Sequence, residues 1–431
     1  MKKLSTKSYK GVRDFYPEEM AVQNYIFDVM RRTCESFGYT EYNASILEPS
    51  ELYKEKSGEE IVNEQTYSFK DRGDRDVTLR PEMTPTVARM VAGRRKELSF
   101  PLRWYSIPNL FRYEQPQRGR LREHWQLNAD IFGVENNEAE KEMLILAYRL
   151  MKNFGAQDSD FQIRINDRRI VNALYEKFEL SAEQAHAVSK VIDKKNKSTL
   201  EVFKENLIHI FNHDAKVDEF IATIVSPQKL IKTLGEDNPL VENLVQLIDG
   251  LSQLNIQNIV FDSTLMRGFD YYTGMIFEIF DTNPENRRSL FGGGRYDDLL
   301  TLFNDEKIPA VGFGAGDVTL RDFLETHALL PILTSKTQLY IAVLDNSFDT
   351  AQRLAHILRD AGIRVAIDYT GKNTGDQLKK ALTDTVPFFT AIGNQETSTQ
   401  KMKIKKLATR EEYEFDLTQI EAIFALIQSL Y

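Results

Sequence analysis

Cysteine is nearly absent: Cys34 is the single one among 431 residues. That excludes an internal disulfide and any cysteine-based zinc site, and it fits a reducing, cytoplasmic setting. No run approaches the roughly 18 consecutive apolar residues that a membrane-spanning helix needs, so no membrane association is expected. The basic stretch 1–10 lacks the apolar segment of a secretory signal. A positive charge balance is missing too: 55 Lys and Arg face 64 Asp and Glu, a net charge of −9. This argues against a protein that coats nucleic acid nonspecifically, but it leaves room for a local basic face on an acidic body. No internal repeat or low-complexity tract is present. What remains is a soluble globular chain, 42% hydrophobic and 28% charged, long enough for two or three domains.

Several familiar chemistries are absent as well. The glycine-rich runs Gly292-Gly293-Gly294 and Gly312-x-Gly314-x-Gly316 are not followed by Gly-Lys-Ser/Thr, so neither is a phosphate loop. The second lacks the closing glycine of a dinucleotide fingerprint. The six histidines form no metal-ligand spacing with acids. His209 and His213 lie one helical turn apart, which without a further ligand reads as a solvated helix face, so no metal site is expected from side chains. No serine–histidine–aspartate arrangement is supported.

The apolar periodicity predicts a helix over 18–37, with Tyr25, Ile26, Val29 and Met30 on one side and Gly38 as its stop. Strands and loops follow to Thr84, with a short helix over 49–56, then a helix from Thr84 to Met90. Residues 102–133 alternate like strands around a polar loop at 115–119, and 137–153 reads as a strong helix. From about 166 to 254 the chain becomes helical, lysine-rich and glycine-poor, and strand signals return at 259–261. This reads as a helical insertion in a discontinuous mixed α/β domain: 1–165 and 255–327 form its two parts and 166–254 the insertion. Residues 328–336 read as a linker. In 337–431, strands at 338–343, 364–367, 388–392 and 401–406 alternate with helices at 349–361, 374–383 and 417–431, the pattern of βαβ units in a mixed sheet.

Four segments carry chemistry. In 79–84 (LRPEMT) a strand delivers Glu82 to a turn before a helix; it could bind an ammonium group, although spacing alone favours an ordinary helix-start carboxylate. Segment 109–126 places Arg112, Arg118, Arg120 and Arg122 within eleven residues of a strand–loop–strand. Arginine forks bind phosphate bidentately, and the aromatic neighbours favour that over a charged edge strand. If the strand alternates, Arg120 and Arg122 share a face, as do Gln126, Asn128 and Asp130. Segment 265–278 (LMRGFDYYTGMIFE) sets Arg267 beside Gly268 and pairs Tyr271 with Tyr272, offering a close ligand approach, aromatic walls and hydroxyl donors. The glycines of 291–297 and 311–316 leave one strand face bare, suited equally to a flat ring or a closely packed helix. In the last domain, Lys401, Lys403 and Lys405 alternate on one strand: either an RNA-contact surface or a solubilising edge.

Taken together, these segments resemble the histidyl-tRNA synthetase family of class II aminoacyl-tRNA synthetases, and the resemblance runs essentially end to end. It begins at KGVRDFYP (10–17) and continues through 79–84 and the motif 2 stretch from Phe111 to Gln126. It includes the histidine-specific segment 267–272, its most specific item, and the approach to motif 3 at 292–297 and 311–316. The fold it implies is an α+β catalytic domain on an antiparallel sheet, with a helical insertion and a C-terminal mixed-sheet anticodon-binding domain. The activity it implies is ligation of L-histidine to its tRNA, with ATP and Mg²⁺, in a cytoplasmic homodimer.

The resemblance also implies roles. Glu82, with Thr84 nearby, would hold the histidine α-amino group, and Gln126, Asp130, Tyr271, Tyr272 and Tyr296 would line the histidine pocket. Arg112 and Arg267 would be the catalytic arginines at the α-phosphate, with Glu114 and Arg120 also at ATP. Gln117 and Arg118 would meet the acceptor stem, and Lys401, Lys403 and Lys405 the anticodon. Two positions depart from the family pattern. Thr319 stands where motif 3 has an ATP-clamping arginine, and Ser45 stands at the motif 1 proline. A catalytically silent histidine sensor, the regulatory subunit of ATP phosphoribosyltransferase, is the alternative; Thr319 would suit it, whereas Arg112, Arg267 and the last domain speak for the ligase. A pure RNA-binding scaffold would not need Glu82, Arg267 and Tyr272 together.

Overall fold

The structure is a computed structural model that describes residues 3–54, 65–193, 195, 199–211, 213–266, 271–286, 288–303 and 307–429. Two compact units divide the chain, 1–330 and 331–431.

The first unit opens with helix α1 (Pro17–Ser36). Pro17 sits in its first turn, where the missing N–H costs nothing, and Val22, Ile26, Val29, Met30 and Cys34 form its buried stripe. Gly38, at φ +78°, then turns the chain. Next come β1 (Thr40–Glu41), β2 (Leu47–Pro49), α2 (Glu51–Lys54), β3 (Tyr67–Lys70), β4 (Asp76–Leu79) and α3 (Thr84–Gly93). β5 (Leu102–Ser106), β6 (Asn109–Phe111) and β7 (Glu123–Phe132) lead to α4 (Glu138–Asn153). β8 (Phe161–Asp167) precedes six helices: α5 (Arg168–Lys177), α6 (Ala182–Asp193), α7 (Leu200–Phe211), α8 (Asp214–Ile224), α9 (Pro227–Leu234) and α10 (Pro239–Ser252). Local signals start several of them. Asp167, Ser226 and Asn238 each cap the following helix by accepting a backbone N–H, and Pro227 and Pro239 follow two of those caps. The unit finishes with β9 (Ile259–Phe261), β10 (Met275–Asp281), β11 (Ser289–Arg295), β12 (Ala310–Gly316) and α11 (Asp317–Thr326).

Among the described residues the main sheet has nine strands in the order β1-β5-β7-β12-β11-β10-β8-β9, with β6 also paired to β7. Its pairings are antiparallel except β1 with β5 and β8 with β9. β7 is therefore interior, held by β5, β6 and β12, while Arg112, Arg118, Arg120 and Arg122 lie in the connection between β6 and β7, outside any strand, so the charged-edge-strand reading does not hold. Regular alternation starts only at Glu123, so Arg120 and Arg122 take separate partners. Arg120 pairs with Glu114, while Arg122 lies over the Tyr113 ring, 4.0 Å from its centroid.

The second unit holds β13 (Leu339–Val343), α12 (Phe348–Asp360), β14 (Val365–Ile367), α13 (Thr374–Thr383), β15 (Phe388–Ile392), α14 (Asn394–Thr399), β16 (Lys401–Lys406), β17 (Glu412–Asp416) and α15 (Ile420–Gln428). The sheet order is β14-β13-β15-β16-β17, parallel in the first three strands and antiparallel thereafter. Sequence reading misses β17 and starts the last helix three residues early. β17 makes β16 an interior strand, which removes the edge reading of its lysines. Across the pair, Lys401 faces Asp416, Lys403 faces Glu414 and Lys405 faces Glu412. Lys405 Nζ lies 3.3 Å from Glu412 and Lys401 Nζ 3.5 Å from Glu414, so this face is charge-balanced rather than a basic strip.

One buried ion pair ties the main sheet to its helical cover. Arg295, at the end of β11, donates to both carboxylate oxygens of Glu140 on α4 at 2.5 Å, and to the carbonyls of Val134 and Asn136. Both side chains are almost fully buried. Removing one partner strands the other charge, so Arg295→Ala is expected to destabilise the first unit by about 3–5 kcal/mol in urea unfolding. A joint apolar replacement, Arg295→Met with Glu140→Leu, should cost far less. A single-variant loss under about 1 kcal/mol would contradict this account of the pair.

Candidate functional site

The interior strands of the main sheet expose a cleft of about 470 Å³, a size that takes small molecules. Its walls include Glu82, Thr84, Arg112, Gln126, Tyr271, Tyr272 and Tyr296. These residues come from four separate stretches of sequence, and the register of the sheet brings them together.

The floor is bare backbone. β12 pairs with β7 so that Gly312 faces Asp130 and Gly314 faces Asn128. A Cβ placed on Gly312 would sit 2.0 Å from Asp130 Oδ1, and one on Gly314 would sit 2.8 Å from the Gln126 amide. The period-two glycines thus serve neither helix packing nor turn geometry. They let the side chains of β7 lie flat across β12.

Asp130 is buried, and its Oδ1 accepts a 2.5 Å hydrogen bond from Tyr296 Oη. Its Oδ2 has no partner among the described residues. Burial pushes the Asp130 carboxyl up to about 7, and the Tyr296 bond opposes that only in part. Nearby charge does the reverse for the Tyr296 phenol, which burial and then Asp130 hold well above its ordinary value. A half-satisfied buried carboxyl of this kind marks a functional site.

Glu82 is buried two residues before α3 begins, and its Oε2 accepts the Tyr271 hydroxyl at 3.1 Å. The ordinary helix-start reading of this carboxylate therefore gives way to a cleft-lining one. The turn is pinned from below: Arg80, also buried, donates to the carbonyls of Ala44 and Asn109. Pro81 offers its carbonyl to Arg112 Nε at 2.8 Å, which sets the direction of the Arg112 fork. Tyr271 packs on Tyr272 at 4.8 Å and on Tyr296 at 5.9 Å between centroids, forming one aromatic wall. Arg267 lies outside the described residues.

Beyond the cleft, Arg120 holds Glu114 at 3.2 Å. Gln117 closes the turn to Arg120 with two backbone hydrogen bonds, and Arg118 donates to Thr326 Oγ1. Thr319, in the first turn of α11, donates to the Leu290 carbonyl at 2.6 Å, while Arg321 pairs with Glu325 and turns away. Asp317 is fully buried and accepts from Arg13, Gln23 and the Trp125 backbone N–H. It locks the N-terminal Arg13 segment and β7 to α11.

Sequence reasoning assigns no role to two of the lining residues. Asn128 and Phe313 line the cleft; their strand registers were legible, but nothing in their residue types singled them out. His124, in β7, is not among the lining residues; desolvation, then the charges of Arg112 and Arg13, push its imidazole down to about 3. Among the described residues no group of three or more His, Cys, Asp or Glu gathers as metal ligands. His213 instead caps α8 through Nδ1.

Comparison with known proteins places this architecture. The family described as histidyl-tRNA synthetase matches residues 11–318, and the family described as an anticodon binding domain matches 338–425. A histidine–tRNA ligase of Leptospira biflexa is 44% identical over 97% of this chain and 97% of its own length. Another, of Haloarcula marismortui, is 35% identical over 95% of this chain and 96% of its own. Among solved structures, histidyl-tRNA synthetase from Nostoc sp. PCC 7120 superimposes with a TM-score of 0.82, at 23% identity, over 98% of this chain and all of that one. The antiparallel catalytic sheet with its helical insertion, and the separate mixed-sheet unit, are the fold of those proteins, and the chain belongs to the histidyl-tRNA synthetase family.

Proposed function

We propose that the protein is a histidine–tRNA ligase: it activates L-histidine with ATP and then esterifies it to the 3′ end of its tRNA. The observation that carries this reading is the cleft's two-ended polarity. Buried Glu82 lines the cleft and accepts the Tyr271 hydroxyl, and the lining residue Tyr296 donates to Asp130, a buried carboxyl behind the lining. An amino acid with an ammonium group and an imidazole N–H supplies a partner for each.

In the first step a histidine carboxylate oxygen attacks the α-phosphorus of ATP. The bond from that phosphorus to the bridging oxygen breaks, and pyrophosphate leaves with the electron pair. No covalent enzyme intermediate is required. Arg112, aimed by the Pro81 carbonyl, is positioned to neutralise charge that builds on the α-phosphate, and the family resemblance assigns Arg267 the same task. Arg120 and Glu114 lie further along, toward the outer phosphates. Mg²⁺ enters as part of the MgATP substrate, with phosphate oxygens as its ligands. In the second step the terminal ribose hydroxyl of tRNA attacks the histidyl carbonyl and AMP leaves. The family resemblance assigns Gln117 and Arg118 to the acceptor stem. The charge balance across β16 and β17 leaves Lys401, Lys403 and Lys405 the weakest of the assigned RNA contacts. Membership of the class II family supports a cytoplasmic homodimer, and no helix among the described residues is long and apolar enough to cross a membrane.

ATP–pyrophosphate exchange is expected with L-histidine and with none of the other nineteen amino acids. Histidine binding without exchange would favour the sensor reading and sink the ligase one.

Asp130 gives a pH signature. The unfolded chain releases this proton near pH ~3.9, whereas the folded site holds it to about 7. The group's contribution to stability is therefore full below the lower value, falls as pH rises, and is gone above the higher one. Asp130→Asn has no charge to bury, so its melting temperature should gain on the parent's between about pH 4 and 7. As pH rises through about 7, kcat/KM for histidine should rise in the parent as the folded-state carboxylate forms, with that limb missing in the variant. Parallel profiles would contradict the role given to Asp130.

A further inference from the structure

Residue 319 leaves the far end of the cleft without a basic side chain, and a different arginine reaches that place. β11 runs from Ser289 and Leu290 at this end to Gly292 in the cleft, and Tyr296, also in the cleft, follows its last residue. Two residues of extended chain, about 7 Å, separate Leu290 from Gly292. Beside Leu290 opens a second cavity of about 520 Å³, whose walls include Arg118, Gly119, Arg288, Thr319 and Asp322. Thr319 turns its hydroxyl onto the Leu290 carbonyl, and the loop packs against it: a Cβ on Gly119 would lie 3.6 Å from Thr319 Cγ2.

Arg288 precedes β11 and reaches across to the loop, where its Nη2 donates to Gln117 Oε1 at 3.0 Å. Gln117 is hydrogen-bonded through its backbone to Arg120, and the Arg120 and Arg288 guanidiniums are near enough to repel each other. The other cations of the cluster have carboxylate neighbours: Arg120 holds Glu114 at 3.2 Å, and Arg118 lies 3.9 Å from Glu285. The side-chain hydrogen bond of Arg288 goes instead to a neutral amide, that of Gln117. Desolvation, then repulsion from Arg120, lowers its proton affinity, and Glu114 offsets this only in part. Arg288 lines the cavity with Arg120 near it, mutually repelling guanidiniums are stabilised by a polyanion between them, and arginine forks suit phosphate oxygens.

We propose that Arg288 binds the outer phosphates of ATP together with Arg120, supplying from the lead-in to β11 the cation that residue 319 does not provide. The inference rests on the ATP-dependent reading above and names a residue which that reading leaves out. Charge that accumulates on the departing pyrophosphate would then be met from both sides, by a strand-anchored and a loop-anchored arginine.

The test is histidine-dependent ATP–pyrophosphate exchange on the full chain, with MgATP binding measured in parallel by calorimetry. Arg288→Ala should raise the KM for ATP and weaken MgATP binding by about ten- to a hundredfold, leaving the KM for histidine and the melting temperature in place. Arg288→Lys should recover part of the loss, as a point charge without the fork. Because both side chains open on one cavity, Thr319→Arg placed in the Arg288→Ala background should restore ATP affinity. An unchanged KM for ATP in a folded Arg288→Ala, or a defect confined to the KM for tRNA, would overturn the proposal. If the parent itself shows no exchange, the ligase reading fails, while calorimetry of MgATP on parent and variant still decides the role of Arg288.

Discussion

The site depends on how closely β7 can lie against β12. Asp130 and Gln126 rest on backbone where any side chain would collide, with only 2.0 Å between a notional Cβ of Gly312 and the Asp130 carboxylate. Without that contact Asp130 could not keep its 2.5 Å bond to Tyr296, and Tyr296 would lose its place beside Tyr271. Tyr271 in turn holds Glu82. The glycines thus set a chain of contacts that ends at the opposite wall of the cleft.

That arrangement costs stability. A buried carboxyl with one oxygen unpartnered among the described residues resists ionisation, and the folded protein bears that cost. The scaffold around it is correspondingly firm. Arg295 and Glu140 fasten β11 to α4, Asp317 fastens β7 and the N-terminal segment to α11, and Arg80 pins the turn that carries Glu82. Each polar anchor is buried and fully engaged with named partners, which keeps a strained centre from relaxing.

Much of this was legible in the sequence, for identifiable reasons. Helices such as α1 and α4 announce themselves by an apolar stripe and a closing glycine, and β9 by a short apolar run. β8 escapes notice although Phe161, Ile163 and Ile165 alternate inward, because it abuts the helical stretch that follows. β17 escapes because its acidic, half-exposed residues look like a loop until they are seen opposite the lysines of β16. In the site, Tyr271, Tyr272 and Arg112 stand out by residue type, whereas only the family resemblance singles out Asp130. Glu82 reads from spacing as a helix-start carboxylate, and only the tertiary contact with Tyr271 shows otherwise. Arg288 lies in a polar loop with no periodicity, so nothing local marks it. What brings it to Gln117 is the pairing of distant strands.

The account's central claim is that bare backbone at Gly312 permits the Asp130 to Tyr296 pairing that recognises the ligand side chain. Calorimetric titration of L-histidine into Gly312→Ala, beside the parent and with melting curves to confirm folding, tests it most directly. The account predicts that the folded variant loses histidine affinity by roughly a hundredfold or more, the scale of a lost hydrogen bond to a charged group plus the displaced carboxylate. An unchanged affinity in a folded variant would contradict it.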